Sequence, residues 1–116
     1  MSVAIQRVRE MGSFLDTRGF LYYQLGDLPA ARHDMQRAVD VCQWSCRAEP
    51  WMIDAVKHQI LDIRELKKDE RRNQRSLAVV HYHRMLVHEA LGRQEEAAQD
   101  RARVVELGCE PGEHLF

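Results

Sequence analysis

The sequence predicts an all-α protein built from antiparallel helix hairpins, and three observations lead to this fold class. The 116 residues include only 6 Gly and 3 Pro, which is too few turn residues for a sandwich or barrel of this length. Apolar residues recur at three- and four-residue steps along most of the chain, and this is the helical period. A Gly-polar turn followed by an Ala pair occurs twice, first at Gly26 and again at Gly92.

Composition narrows the class of protein further. Hydrophobic residues make up 45% and charged residues 30%, which is a globular mixture, and the length predicts one domain spanning 1–116. With 17 Lys and Arg against 18 Asp and Glu, the net charge is −1, so the balance offers no global attraction to nucleic acid or anionic membrane. The lack of a membrane-length apolar run or a signal peptide, together with an odd cysteine count, predicts a cytoplasmic protein without a membrane partner.

Five or six helices are expected, and the first two flank Gly12. Residues 2–11 form a short helix with one apolar side that ends near this glycine. Ser13 is the expected N-cap of the second helix. The second helix ends at Gly26, in the position that favours a left-handed residue.

The third helix begins after that turn. Asp27 is the expected N-cap, and Pro29 suits the first turn. Pro50 disfavours helical geometry at the residue before it, so we expect this helix to end by about Arg47.

The second half of the chain predicts a middle amphipathic helix and two further helices. A charged run follows the middle helix, and a break is expected near Ser76. The predicted segments are the middle helix 50–66, the charged run 64–75, a helix 77–91 that stops at Gly92, and a helix 94–107 that stops at Gly108.

The repeated turn divides the chain into repeat-sized units. The spacing from Gly26 to Gly92 equals the spacing from Ala31 to Ala97. This shared spacing, here called the repeat offset, is close to two periods of a helical hairpin repeat of about 34 residues. Small alanines at the start of a second helix allow close approach of the two helices. The predicted units are repeat one over 12–45, a degenerate repeat or inserted helix over 46–77, a second recognisable repeat over 78–111, and a tail over 112–116.

At these positions the chain resembles the tetratricopeptide repeat (TPR) family. In repeat one the family's spaced positions hold Leu15, Gly19, Tyr22, Gly26, Ala31, Met35 and Ala38. In the second repeat the frame is kept by Gly92, Ala97 and Pro111, while His81, Met85, His88 and Arg101 depart from the usual residues. The resemblance implies a right-handed stack of hairpins, a short α-solenoid, whose first helices line a concave groove for a peptide or protein segment.

This resemblance implies a protein–protein interaction module or scaffold rather than an enzyme. The family's groove positions carry over to Asp16, Phe20, Tyr23, Gln24, Val79, Tyr82, His83, Leu86 and Glu89. Chaperone-binding members use Lys and Asn at the positions of Asp16 and Phe20 to clamp a carboxylate, which Asp16 would repel. We therefore expect an apolar peptide, a partner helix or self-association, with most of the affinity from Phe20, Tyr23, Tyr82 and Leu86.

A small metal- or redox-responsive domain is the leading alternative. Cys42 and Cys46 stand four residues apart, and three histidines lie close together at 81, 83 and 88. Structural zinc sites use closer cysteine knuckles in turns, and small cysteines are common in cores. On a helix His83 points about 200° away from His81. We therefore predict no metal and no cofactor.

A basic-helix binder is the third possibility. Residues 64–75 carry a net charge of +3, and residues 89–113 carry −4. A solvated helix with i,i+3 ion pairs explains the basic run. An acidic partner, nucleic acid or head-to-tail pairing of the two ends are the functional alternatives. Nucleic acid is the weakest of these, since no aromatic residues interleave the run.

The remaining polar and apolar groups predict structural roles. We expect Glu95, Glu96 and Asp100 to offset a helix dipole, and the Arg18 and Asp34 neighbourhoods to be ordinary helix surface. Two tryptophans, Trp44 and Trp51, flank Pro50 and are expected to be buried at a junction between units. The terminal Leu115 and Phe116 dock either on the last helix pair or in a neighbouring groove.

Overall fold

The computed structural model describes the backbone of residues 3–45, 63–112 and 115, and the side chains of residues 7, 9–44, 71–112 and 115. Four helices make up this part of the chain: α1 (Val3–Leu25), α2 (Leu28–Ser45), α3 (Ile63–Ala90) and α4 (Gln94–Glu106). The all-α class is therefore confirmed. The total of five or six helices and the solenoid remain predictions, because the middle helix expected over 50–66 lies mostly outside the described residues.

The helices pack in chain order. α1 and α2 form one antiparallel pair, here called hairpin one, and α3 and α4 form hairpin two; α2 packs against α3, while α1 and α3 touch over a smaller area. Clusters around Val39 and Met35 join the two hairpins, and a third cluster lies between α3 and α4. Leu115, 1% exposed, belongs to this third cluster, so it docks on the last helix pair.

The two hairpin turns have the same geometry, as the repeated Gly-polar pattern predicts. Gly26 and Gly92 have φ of 84° and 77°, a region that residues with a Cβ rarely adopt. Each Gly N–H donates to the carbonyl three residues earlier at 3.1 Å, and the next N–H donates to the carbonyl five residues earlier at 2.9 and 2.8 Å. Asp27 caps α2 as expected, accepting the Ala30 N–H through Oδ1 at 3.3 Å.

The predicted break at Gly12 and Ser13 is wrong, because α1 runs through both residues. Gly12 is buried against α2, where an added Cβ would lie 3.2 Å from both Cys42 Sγ and Val41 Cγ1. This glycine therefore allows two helices to approach instead of ending one, and the packing outweighs its poor helix propensity of about 1 kcal/mol.

Two further expectations are corrected by the structure. α3 continues through residues 73–76, so the break expected near Ser76 is absent. The following residues Leu77 and Ala78 are buried, and this packing favours a continuous helix. Trp44, expected to be buried, is 49% exposed on α2. Trp51 lies outside the described residues.

Gly19 lies where α1 and α2 approach closely, and replacing it with Val is expected to destabilise the protein. An added Cβ would lie 3.1 Å from Asp34 Cβ and 2.9 Å from Met35 Cε. The larger side chain must push the helices apart, at a cost of about 1–3 kcal/mol. Urea unfolding followed by circular dichroism measures this loss. Thr17→Val at an exposed position of the same helix is the control, and equal losses in both variants would contradict the close-approach role.

None of the helices in the described part of the chain combines the length and the apolar character needed to cross a bilayer.

Candidate functional site

Predicted groove residues from both hairpins meet where α1 passes α3. The Phe20 ring stacks on the His83 ring at 4.4 Å and on the Tyr23 ring at 5.8 Å. The Asp16 Oδ1 atom accepts a hydrogen bond from His83 Nδ1 at 2.7 Å. Because a carboxylate only accepts, the proton of His83 lies on Nδ1. The structure thus joins four of the predicted residues into one surface, here called the α1–α3 face.

The nine predicted groove residues differ in how much they offer to a partner. Tyr82 and His83 are 6% and 5% exposed, and Tyr82 packs in the core between α3 and α4. The prediction that Tyr82 contributes binding energy to a ligand is therefore corrected, because its ring packs inside the core and is not accessible to a partner. Of the other seven, five are half-buried and two are exposed: Asp16, Phe20, Tyr23, Val79 and Leu86 are half-buried, and Gln24 and Glu89 are exposed.

A cleft of about 340 Å³ opens on the α1 and α3 surface beside this aromatic group. Asp16 and Val79 line it together with Arg72 and Arg75 from the basic run and several hydroxyl groups. Its lining therefore carries two guanidinium groups against one carboxylate, which is already bonded to His83. The expected repulsion of an acidic ligand by Asp16 is thereby offset within the cleft.

A buried polar network centres on Asp100 of α4. Arg84 Nη2 and Nε donate to its carboxylate at 2.6 and 2.9 Å, and His81 Nδ1 donates at 2.9 Å. His88 Nε2 is 3.7 Å from Asp100 Oδ2. Asp100 is 1% exposed and lies beyond the first turn of α4, whose acidic residues are Glu95 and Glu96, so it binds side chains of α3 instead of offsetting the helix dipole as expected. The network fastens α4 to α3.

Hairpin one contains an equivalent pair, in which an Arg of the first helix binds a buried Asp of the second. Arg18 Nε and Nη2 donate to the two oxygens of Asp34 at 2.6 and 2.8 Å. Asp34 is 2% exposed, so it is not ordinary helix surface. The two partners of each pair are equally far apart in sequence, and Arg18 and Asp34 precede Arg84 and Asp100 by the repeat offset. The repeat offset that relates the two turns therefore also relates the two Arg–Asp pairs, and the sequence analysis did not identify these pairs.

These contacts shift the pKa values of four groups. The hydrogen bonds between Arg18 and Asp34 lower the pKa of Asp34 and raise the pKa of Arg18. For Asp100, burial is the largest single effect and would raise the pKa, but the hydrogen bonds from His81 and Arg84 together lower it. Burial lowers the pKa of His88 despite the nearby carboxylates of Asp100 and Glu96.

The metal-binding alternative gains no site in the described residues. Within them, no group of three or more His, Cys, Asp or Glu side chains is arranged to hold a metal ion. As expected, His81 and His88 both face Asp100, while His83 points to Asp16. Cys42 lies against Gly12, and Cys46 falls outside the described residues. Within the basic run, Arg71, Arg72 and Arg75 are exposed.

Comparison with protein-family models, curated proteins and solved structures gave no match to this chain.

Proposed function

We propose that this protein is a non-enzymatic binding module that holds a peptide or helix of a partner protein on the α1–α3 face. The observation that carries the proposal is the junction of the two hairpins, where Phe20 and Tyr23 from one hairpin adjoin His83 from the other. Half-buried aromatic groups that are held by their neighbours lose little entropy on binding and are typical anchors of protein interfaces. The resemblance to tetratricopeptide repeats predicts the same residues.

The rigidity of this face supports a binding role. The hydrogen bond between Asp16 and His83 spans the two hairpins at 2.7 Å, and the Phe20 ring stacks on the His83 ring. A partner therefore meets side chains that are already fixed in place, which reduces the cost of ordering them on association.

The charges beside the face indicate the chemistry of the partner. Arg72 and Arg75 line the cleft next to Asp16, and guanidinium groups pair well with carboxylates. A matching segment carries an apolar or aromatic anchor for the surface of Phe20, Tyr23 and Leu86, and an acidic side chain for the cleft. This assignment unites the basic run and the groove in one binding surface.

Site-specific photo-crosslinking in the native cell tests the proposal. A photoreactive amino acid at Gln24 or at Glu89, both exposed beside the face, is expected to give the same crosslinked partner. Tyr23→Asp in the same chain should reduce that product at least tenfold, because a carboxylate disrupts the aromatic anchor.

The matched control places the photoreactive group at His33, an exposed position on α2. This variant should give no such product. Equal products from all three positions, or a product that survives Tyr23→Asp together with Arg72→Glu, would reject the α1–α3 face as the binding surface.

A further inference from the structure

The two hairpins correspond residue by residue at the repeat offset. The turns match at Gly26 and Gly92, and the buried ion pairs match at Arg18–Asp34 and Arg84–Asp100. Residues 3–24 of α1 and residues 28–40 of α2 therefore have helical equivalents in hairpin two, and the contact between the hairpins can be compared with the outer faces of α1 and α4.

The contact between the hairpins consists of α2 against α3. Val39 of α2 shares a buried cluster with Val80 of α3, and Met35 shares one with Val87. Between these clusters Arg84 Nη1 donates to the Gln36 Oε1 atom at 3.2 Å. Val80 and Val87 are 3% and 0% exposed, so α2 covers α3 at both of these positions.

The equivalent side of α1 is uncovered. Phe14 and Leu21 are the equivalents of Val80 and Val87 at the repeat offset, and they are 59% and 52% exposed. Met11 and Leu25 extend the same stripe at heptad-like spacing and are 51% and 81% exposed. An uncovered stripe of four large apolar side chains is unusual on a monomer surface and marks an interaction site.

In hairpin two, α4 corresponds to α2. The side of α2 that covers α3 therefore corresponds to the outer side of α4. Val105 corresponds to Val39 and is 59% exposed. Arg101 corresponds to Met35, and Ala102 corresponds to Gln36; both are exposed. The molecule thus carries both halves of its own internal contact, one on each outer face.

We propose that a second copy of this chain docks the Phe14 and Leu21 stripe of its α1 on the outer face of α4, reproducing the contact between α2 and α3. Leu21 then packs on the methylene stem of Arg101, and Phe14 packs on Val105. This surface is distinct from the α1–α3 face, because Phe14 and Leu21 lie on a different side of α1 from Asp16 and Phe20.

The position of Arg18 favours this head-to-tail arrangement over a two-fold pairing of α1 with α1. Arg18 lies in the middle of the stripe, where its guanidinium also covers the Phe14 ring at 5.2 Å. A two-fold antiparallel pairing would bring two Arg18 side chains face to face. Docking on α4 instead places Arg18 opposite Ala102. Because the contact joins two different faces, it builds open-ended chains, and Arg101 in place of Met35 keeps it weaker than the internal contact.

Sedimentation velocity over a range of concentrations tests the proposal. The wild type is expected to grow beyond a dimer, whereas Leu21→Glu and Val105→Glu are each expected to remain monomeric. An equal mixture of these two variants should form a 1:1 dimer and nothing larger, because each retains one intact face. Arg101→Met, which copies Met35, should lower the dissociation constant about tenfold.

Several results would overturn the head-to-tail contact. These are a monomeric wild type up to about 1 mM, a mixture of the two Glu variants that stays monomeric, or an Arg101→Met variant with unchanged affinity. A dimer that Leu21→Glu abolishes and Val105→Glu leaves intact would show a two-fold α1 contact instead. All three changes are at exposed positions, and circular dichroism verifies that each variant is folded.

Discussion

Asp100→Asn is expected to lower the free energy of unfolding by about 3 kcal/mol, which is the lower end of the loss seen when one partner of a buried ion pair is removed. Asp100 is 1% exposed and accepts hydrogen bonds from both Arg84 and His81. An amide supplies one accepting oxygen, and its NH₂ group faces donors. The substitution therefore leaves a charge without its partner in the core between α3 and α4. Urea unfolding at pH 7 measures the loss.

His81→Leu is the matched control for this prediction, because hairpin one has Leu15 at the equivalent position. Leu15 is 2% exposed, and the Arg18–Asp34 pair forms in that hairpin with an apolar residue there. With Leu at position 81, Asp100 keeps its bidentate bond to Arg84. We expect a change within about 1 kcal/mol, the value of one net hydrogen bond. A loss equal to that of Asp100→Asn would show that His81, and not Arg84, holds Asp100.

Asp34→Asn should cost less than Asp100→Asn, although the two pairs have nearly the same geometry. The Arg18 side chain is 39% exposed, whereas the Arg84 side chain is 18% exposed. Water therefore solvates Arg18 when its partner is lost. Equal losses would mean that the buried carboxylate alone, and not the cation, sets the energy of these pairs.

The structural features that could be predicted from the sequence are those determined by the backbone conformation of a few neighbouring residues. Gly26 and Gly92 end helices because their own backbone conformation requires glycine, and this holds whatever packs nearby. Gly12 has the same side chain, yet it continues α1 because Cys42 and Val41 of α2 lie 3.2 Å from its Cβ position. A contact between residues on two different helices cannot be inferred from the local sequence pattern. A glycine that ends a helix and a glycine that allows two helices to pack closely therefore look alike in the sequence.

In the candidate site, too, some features could be predicted from the sequence and others depend on packing between helices. The resemblance to a repeat family placed Phe20 and Tyr23 on one side of α1, and they meet His83 across the two hairpins. Tyr82 is adjacent to His83 but packs in the core between α3 and α4, because the rotation of α3 about its axis turns Tyr82 towards α4 and His83 towards α1. That rotation depends on α4 and Leu115, whose packing the sequence pattern does not specify. The Arg–Asp pairs were accessible to sequence reasoning, since they share the repeat offset of the turns.

Lowering the pH from 7 is expected to destabilise the protein in two stages, one for His88 and one for the buried carboxylates. Burial lowers the pKa of His88 in the folded state. The unfolded chain, with a His pKa near 6.5, therefore takes up a proton first as the pH falls, and stability decreases from about pH 6.5 down to the folded pKa. Hydrogen bonds from Arg18 lower the pKa of Asp34, and those from His81 and Arg84 lower the pKa of Asp100 against its burial.

The second stage follows from the same linkage. Unfolded Asp takes up a proton near pH 3.9, above the folded pKa of Asp34 and Asp100, so their contribution is present above that pH and is lost as the pH falls through the folded values. Chemical denaturation at half-unit steps from pH 7.5 to 3 measures both stages. His88→Tyr copies Tyr22, the equivalent residue of hairpin one, and should reduce the first stage while leaving the second. An unchanged profile between pH 7 and 5 in that variant would contradict the assignment to His88, since the buried carboxylates are ionised throughout that interval.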